Sequence, residues 1–451
     1  ISGLTMLALV LYLSFYFAAF GTLMSLGEKR LKSQSWLLAP LLWTSIEYLR
    51  GNASFLGFPW GSLGYSQYRN LHLIQAADVV GVMGITFAVA LVNSAAARFI
   101  AALPPQAEGS PGRGRSLASP VAAIVVTLAL LYAYGDWRLN RIEKRTAGLD
   151  TIRVAVVQGN IPQERKWEVD NDASTLDKYG SLTRKTWEHA PMLTVWPETA
   201  VPFFFQKDGT GRKEILRVVG DGGAYLLLGG PSYVYEDGRM KYFNSAFMVG
   251  PDGREKGRYD KRRLVPFGEY VPLKRLFFFV DKIVEGQGEF SRGMEKRLLE
   301  VAGVPLGVLI CFEVLFPDIA RNQAKRGARF LVNMTNDAWF GRSPAPYQHF
   351  SIGVFRAVEN RIALVRAANT GISGYIAPSG RVLQSTYIFQ DAWLIEDVTL
   401  GRDVSTAYTR FGDLFAWGVM AFALLALITS KPNRSHGDTG IDDQQTERGG
   451  N

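Results

Sequence analysis

Three short stretches each carry a reactive side chain just after an apolar run. "LTVWPETAVP" offers Glu198, "YDKRRLVPFGEYVP" offers Lys261 and then Glu269, and "VLICFEVLFPD" offers Cys311 and then Glu313. Cys311 is the single cysteine of 451 residues, so no internal disulfide is open to it. A thiol, an ammonium and a carboxylate together make a coherent nucleophilic site. The thiolate attacks, and a nearby cation favours its formation. A carboxylate takes and returns protons. The ammonium, with the backbone N–H of Phe312 directly after the nucleophile, would hold an oxyanion. Read singly, each residue is ordinary: a strand cysteine packs as a small hydrophobe, Glu198 could cap a helix, and the "DKRR" around Lys261 could be a solvated basic turn. Their common context, a strand end, is what favours chemistry. His72, His189, His349 and His436 are scattered without ligand spacing, so no metal is expected. A Cys311–His349 pair, with His349 in "PYQHF", is a lesser alternative.

These side chains need a scaffold, and the region from about 150 to 400 supplies its pattern. "TIRVAVVQGN", "MLTVWPE", "AYLLLGG", "NSAFMVG", "PLGVLIC" and "ARFLVNMTN" read as buried strands bounded by Gly, Pro or Asn, while 170–190 and 316–328 have helical spacing. In such an α/β domain, groups at strand C-termini converge on one crevice. Around it lie apolar segments. Residues 4–24 carry no charge and are long enough to span a bilayer. Further candidate spans are 35–49, 73–97, 119–135 and 411–430; Glu47 in the shortest must face other helices or the interface. The expected organisation is a transmembrane helical domain over 1–140, the α/β domain over 150–400, a C-terminal transmembrane helix over 411–430, and a disordered cytoplasmic tail over 431–451. Residues 104–118 read as a flexible linker. The chain opens at Ile1 inside an apolar stretch, and the start is read as truncated.

A composition 47% hydrophobic and 20% charged excludes a disordered chain. The net charge of +9 lies largely beside apolar segments, which fits a membrane protein better than a nucleic-acid binder. Lys29, Arg30 and Lys32 in the first connection, Arg98, Arg113 and Arg115 in the third, and "KPNR" after residue 430 outweigh Arg50 and Arg69 in the second. By the positive-inside rule those richer loops are cytoplasmic and the α/β domain is on the outer face.

"WPET", "DKRRLVPFGEY" and "CFE" resemble the Glu–Lys–Cys set of the nitrilase, or carbon–nitrogen hydrolase, superfamily. "VAVVQGNIPQERKW" (154–167), "LVPFGEYVPL" (264–273), "NMTNDAWFG" (333–341), "PYQHF" (346–350) and "GFPWGSLGYSQ" (57–67) resemble its integral-membrane branch, the apolipoprotein N-acyltransferase family. The resemblance implies a nitrilase-like α-β-β-α sandwich on a polytopic helical membrane domain, in a bacterial inner membrane with the catalytic domain periplasmic. It implies a two-step acyl transfer. Cys311 attacks the sn-1 ester of a phospholipid, giving a thioester and a lysophospholipid; the N-terminal amine of a diacylglyceryl-cysteine lipoprotein then takes the acyl chain. Glu198 is implied as general base and acid, and Lys261 with the Phe312 amide as stabiliser of thiolate and oxyanion. Glu269 would orient Lys261, and Glu313 would support the site. Trp167 and Asn244 match positions used around the acyl chain and pocket, and "NDAWFG", with Asp337 and Trp339, would shape that pocket. The partners implied are a phospholipid donor, diacylglyceryl lipoproteins and membrane lipids, with no cofactor and no nucleic acid. The chain departs from the pattern in lacking helices expected at its start, and in carrying Phe312 where some members have Tyr.

The residues themselves add a lipid argument. "PLKRLFFFVDKIV" (272–284) sets Phe277, Phe278 and Phe279 beside Lys274 and Arg275, and "VPFFFQKDG" (201–209) does the same after Glu198. Exposed aromatics flanked by cations suit a membrane interface; core packing is the alternative. Two rival functions stay open. One is a membrane-anchored amidase or hydrolase in which water resolves the acyl-enzyme. The other is an inactive scaffold or transporter, for which Glu47 and Asp78 are too few ionisable groups to form an ion path.

Overall fold

The structure is a computed structural model that describes residues 2–102, 118–163, 172–271, 289–294, 297–401 and 406–429. Trp167, Phe277, Phe278, Phe279, the tail 431–451 and nearly all of the linker lie outside the described residues.

The apolar segments near the start form α1 (Ser2–Leu31), α2 (Leu38–Asn52), the single turn α3 (Leu71–Ile74), α4 (Ala77–Ile100) and α5 (Ala118–Thr146). Of these, α1, α4 and α5 are long and apolar enough to cross a membrane. Glu47 of α2 is buried; its carboxylate accepts from Trp43 Nε1 at 2.9 Å, the Leu63 N–H at 3.1 Å and Thr86 Oγ1 at 3.1 Å. Gly81 interrupts α4 with φ +63°, a conformation that a residue with a Cβ rarely adopts. Beyond its apolar run α5 continues through "DWRLNRIEKRT" and hands the chain to the first strand.

Among the described residues twelve strands follow: β1 (Thr151–Gln158), β2 (Leu193–Val195), β3 (Tyr225–Glu236), β4 (Arg239–Val249), β5 (Glu255–Asp260), β6 (Leu299–Val301), β7 (Val304–Ile310), β8 (Phe330–Thr335), β9 (Ala363–Ala368), β10 (Gly374–Ile376), β11 (Val382–Ser385) and β12 (Ala392–Thr399). They make two six-stranded sheets, ordered β12-β1-β2-β3-β4-β5 and β11-β10-β9-β8-β7-β6. Central strands such as β8, buried at every residue, are continuous apolar runs because both faces are covered. Val154, Val156, Val195 and Leu227 of the first sheet meet Val308, Ile310, Val332 and Met334 of the second.

Helices α6 (Asp172–Arg184) and α7 (Thr210–Gly222) cover the outside of the first sheet, where Tyr179, Ile215 and Val218 pack on Trp196, Leu228 and Phe247. Helices α8 (Pro317–Lys325) and α9 (Ala345–Asn360) cover the second, where Ile319, Phe350 and Val354 pack on Leu309, Leu331 and Leu364. This is the expected α-β-β-α sandwich. Ile74, Val82 and Ile85 join the α8–α9 cluster, so α3 and α4 lie as a further layer on that side. The chain closes with α10 (Ala407–Phe411) and α11 (Leu414–Thr429), an apolar helix of 16 residues.

One expectation is corrected. The aromatics at 203–205 are not an exposed patch: Phe205 is fully buried in the α6–α7 core, Phe203 packs against that core, and the Phe204 ring stands edge-on to Tyr233 at 5.1 Å. The chain after Glu198 runs beneath α7, and burying these rings is how that helix is held to the sheet.

Candidate active site

Glu198 follows β2, Lys261 follows β5 and Cys311 follows β7, so the two sheets deliver the three groups from strand C-terminal ends. The Glu198 turn lies hard against β3 at Gly229. A Cβ there would stand 2.5 Å from the Pro197 carbonyl oxygen and 2.7 Å from Glu198 Cα, so only glycine fits. Glu198 Oε1 accepts from Asn244 Nδ2 at 2.8 Å and from Lys261 Nζ at 3.2 Å; Oε2 accepts from the Asn336 N–H at 2.9 Å.

Lys261 is 1% exposed and also donates to Glu269 Oε1 at 2.9 Å. Asn244 Nδ2 bridges to the same Glu269 oxygen at 2.9 Å, and Glu269 Oε2 accepts from the Val265 N–H at 2.8 Å. Burial alone would depress the Lys261 ammonium, but the charges of Glu198 and Glu269 outweigh it and hold the group well above its ordinary value. The site therefore keeps a permanent cation between two carboxylates.

Cys311 opens a turn of 3-10 helix, Cys311–Leu315, with φ +49°. That left-handed conformation costs a non-glycine residue about 1–2 kcal/mol, and such strain is kept where the surroundings over-determine it. Desolvation pushes the thiol up to about 12, Glu198 and Asp337 adding to the shift and Lys261 opposing it. The resting group is a thiol, so its proton must leave as it attacks. Glu313, fully buried, ties this turn to the lysine turn. Its Oε2 accepts from the Ile310 N–H at 2.8 Å, its Oε1 from the N–H groups of Arg262 at 2.7 Å and Arg263 at 3.1 Å, and the Tyr259 hydroxyl lies at 3.0 Å. Burial pushes Glu313 up to about 7 against the pull of those donors.

Behind the cysteine is a buried group the sequence did not single out as a unit. Asp337 Oδ1 accepts from Thr335 Oγ1 at 2.9 Å and lies 2.9 Å from His349 Nδ1, while Oδ2 accepts from Arg366 Nη2 at 2.8 Å. Burial opposes the charge on Asp337, yet Arg366 and His349 hold it below the usual carboxylate range. Burial and Arg366 together hold His349 below its usual value. His349 Nε2 is 3.3 Å from the Cys311 carbonyl oxygen, so the contact it makes with that residue is to the backbone.

The structure thus gathers Glu198, Lys261, Cys311, Glu269, Glu313 and Asn244 into one cluster. Phe312 is partly buried, its ring 5.1 Å from Phe316. Trp339, on the turn Asp337–Phe340, is 71% exposed and Asp337 beneath it is buried. Arg366, Thr335, Asn336 and Tyr259 were missed. The one usable signal was Arg366, a lone charge inside the apolar strand "ALVRAA", since a buried charge requires a partner. A thiol beside a proton-accepting carboxylate and a fixed cation is equipped for acyl transfer through a covalent intermediate.

Architecture and site together define a nitrilase-like enzyme, and residues 153–408 match the family model described as Carbon-nitrogen hydrolase. Residues 1–95 match the one described as the apolipoprotein N-acyltransferase N-terminal domain. The apolipoprotein N-acyltransferase of Geobacter metallireducens is 44% identical over 92% of this chain and 78% of its own length; that of Methylococcus capsulatus is 37% identical over 84% and 71%. The chain belongs to the apolipoprotein N-acyltransferase family and is an acyltransferase of the membrane. Among solved structures, a mutant of the Nesterenkonia AN1 amidase of the nitrilase superfamily aligns with 58% of this chain and 94% of its own, at 19% identity and a TM-score of 0.44.

Proposed function

We propose that this protein moves the sn-1 acyl chain of a phospholipid, by way of a Cys311 thioester, onto the N-terminal amine of diacylglyceryl-cysteine lipoproteins. The observation that carries the reading is Lys261, buried between Glu198 and Glu269 with its charge bearing on the Cys311 thiol. The relatives' name supplies the class of acceptor.

Glu198 accepts the thiol proton as sulfur bonds to the ester carbonyl carbon. The carbonyl electron pair moves to oxygen, and that oxyanion is met by the Lys261 ammonium and the Phe312 N–H. Such donors are worth roughly 100- to 1,000-fold each. When the oxyanion collapses, the C–O bond breaks and Glu198 returns its proton to the departing lysophospholipid oxygen. The acceptor amine then attacks the thioester carbon and Glu198 takes the amine proton; the C–S bond breaks as the amide forms, and Glu198 returns the proton to the Cys311 sulfur. Glu269 and Asn244 keep Lys261 and Glu198 aligned, and Glu313 keeps the two turns in register. Trp339 at the rim, with Trp167 and Phe277, Phe278 and Phe279, would contact the acyl chains; the exposure of Trp339 supports this. In this reading 1–140 and 411–430 hold the protein in a bacterial inner membrane with 150–400 on the periplasmic side.

The test is the intact mass of purified protein after incubation with phospholipid, beside Cys311→Ala. A fatty-acyl adduct that hydroxylamine removes and the variant lacks is expected. It should persist in water and leave for a diacylglyceryl peptide. Rapid loss to water would instead establish a hydrolase. No adduct on a folded, lipid-binding protein would return Cys311 to packing.

A further inference from the structure

His349 is fully buried on α9, and each part of its ring is engaged. Nδ1 lies 2.9 Å from Asp337 Oδ1 and 3.0 Å from Arg366 Nη2; Nε2 lies 3.3 Å from the Cys311 carbonyl oxygen. In the tautomer with its proton on Nε2, the ring donates to that carbonyl while Nδ1 accepts from Arg366 Nη2. The ring faces are occupied as well. Trp60, from the connection between α2 and α3, lies 5.5 Å away at a tilt of 32°, and Phe340 stands edge-on at 6.1 Å. Trp60 is itself fixed by donating from Nε1 to Gln348 Oε1 at 2.6 Å. His349 is therefore held in place, with its hydrogen-bond contact to the nucleophile's residue made at the carbonyl.

That carbonyl belongs to the same peptide unit as the Phe312 N–H. A trans peptide is planar, so its C=O and N–H point in opposite directions and fixing one fixes the other. The left-handed φ of Cys311 adds a reason for such a restraint, since this residue left alone would relax toward the ordinary regions. A donor on the carbonyl also polarises the amide and strengthens its N–H as a donor.

We infer that His349 is a positioning residue for the oxyanion donor: by holding the Cys311 carbonyl it aims the Phe312 N–H at the developing acyl oxyanion. The inference rests on the acyl-enzyme reading above. It assigns His349 no proton transfer with the thiol. It also makes Trp60, from the membrane-side part of the chain, the wall that keeps the ring in place.

The experiment uses the full chain in detergent with phospholipid and compares it with His349→Phe, which keeps a ring without the donor, and His349→Gln, which restores an N–H near Nε2. Two rates are read: acyl-adduct formation on Cys311 by intact mass, and Cys311 alkylation by iodoacetamide, a displacement that forms no oxyanion. His349→Phe should acylate roughly 10- to 100-fold more slowly while alkylating at the unmodified rate, and His349→Gln should recover most of the acylation. Equal acylation by His349→Phe and the unmodified chain would overturn the inference alone. Parallel loss of both rates would also overturn it, showing a structural role. Absence of any adduct on the unmodified chain would overturn the acyl-enzyme reading, and this inference with it.

Discussion

At the scale of single residues, the site combines a fixed cation with a nucleophile that rests as the neutral thiol. Lys261 has two carboxylate partners, which is why its charge survives burial. Cys311 has one cation nearby against two carboxylates and desolvation, and its thiol stands at about 12. The consequence is a pH dependence with a definite sign. Only the thiolate reacts with iodoacetamide, and its fraction below the pKa grows about tenfold per pH unit. Alkylation of Cys311 should therefore accelerate steadily from pH 7 to pH 10 without levelling. A plateau near neutrality would show a stored thiolate and remove the need for Glu198 to take the proton. Glu198 and Cys311 were legible because each follows an apolar run; Lys261 follows the charged strand "EKGRYD" and stood out through the stretch "DKRRLVPFGEY". Glu269 and Glu313 were noted beside them and took their roles from the family resemblance, which alone singled out Asn244. The Asp337–His349–Arg366 group was not assembled, since its members are separated in sequence and meet only when β8, β9 and α9 pack.

At the scale of elements, strand ends supply the reactive groups and close backbone approaches set their positions. The contact between β3 and the Glu198 turn is one example. Gly229→Ala would drive a Cβ into the Pro197 carbonyl and Glu198 Cα, shifting the carboxylate by a fraction of an ångström. Acyl-adduct formation should fall roughly 100-fold, with cosedimentation on phospholipid vesicles unchanged; unaltered acylation would mean that the turn can yield. The buried strands β1, β2, β3, β7 and β8 were readable as apolar runs. The edge strands β5 and β12, "EKGRYD" and "AWLIEDVT", were not, because an edge with one exposed face carries charge and loses that signature. The aromatics at 203–205 misled for a related reason: three rings beside a lysine look alike packed on a core and at an interface until the covering helix is known.

At the scale of the whole molecule, α3 and α4 form a layer of the sandwich's own packing. Ile74, Val82 and Ile85 share a core with α8 and α9. The polar tie is Asp78 of α4, whose Oδ2 accepts from Arg361 Nη2 at 2.8 Å and Nε at 3.0 Å and from Arg138 Nε of α5, while Oδ1 accepts from the Tyr134 hydroxyl of α5 at 2.7 Å. Arg361 Nη1 also donates to Gln75 Oε1 at 2.7 Å. Removing one partner of a buried ion pair leaves an uncompensated charge and costs about 3–5 kcal/mol. Asp78→Ala should lower the thermal midpoint of the detergent-solubilised protein accordingly, and adding Arg361→Ala should cost clearly less than Arg361→Ala does alone. Strict additivity would mean that the two residues do not act as a pair. The sequence marked Asp78 as an ionisable group in an apolar span; its partner lies 283 positions away.

Local pattern was enough for the elements and the chemistry. Apolar length identifies candidate spans, period-two and continuous apolar runs identify strands, and a reactive residue at a strand end stands out because burial on one side and exposure on the other are both written in the neighbouring residues. What required the tertiary structure was every relation between distant segments: Glu198 with Asn336, Glu313 with the lysine turn, His349 with the Cys311 carbonyl, Asp78 with Arg361. Each is a polar contact in a buried place, and its energy depends on distance and desolvation that no single stretch of chain encodes. The chain specifies these partners only collectively, through the packing of two sheets and the helices around them.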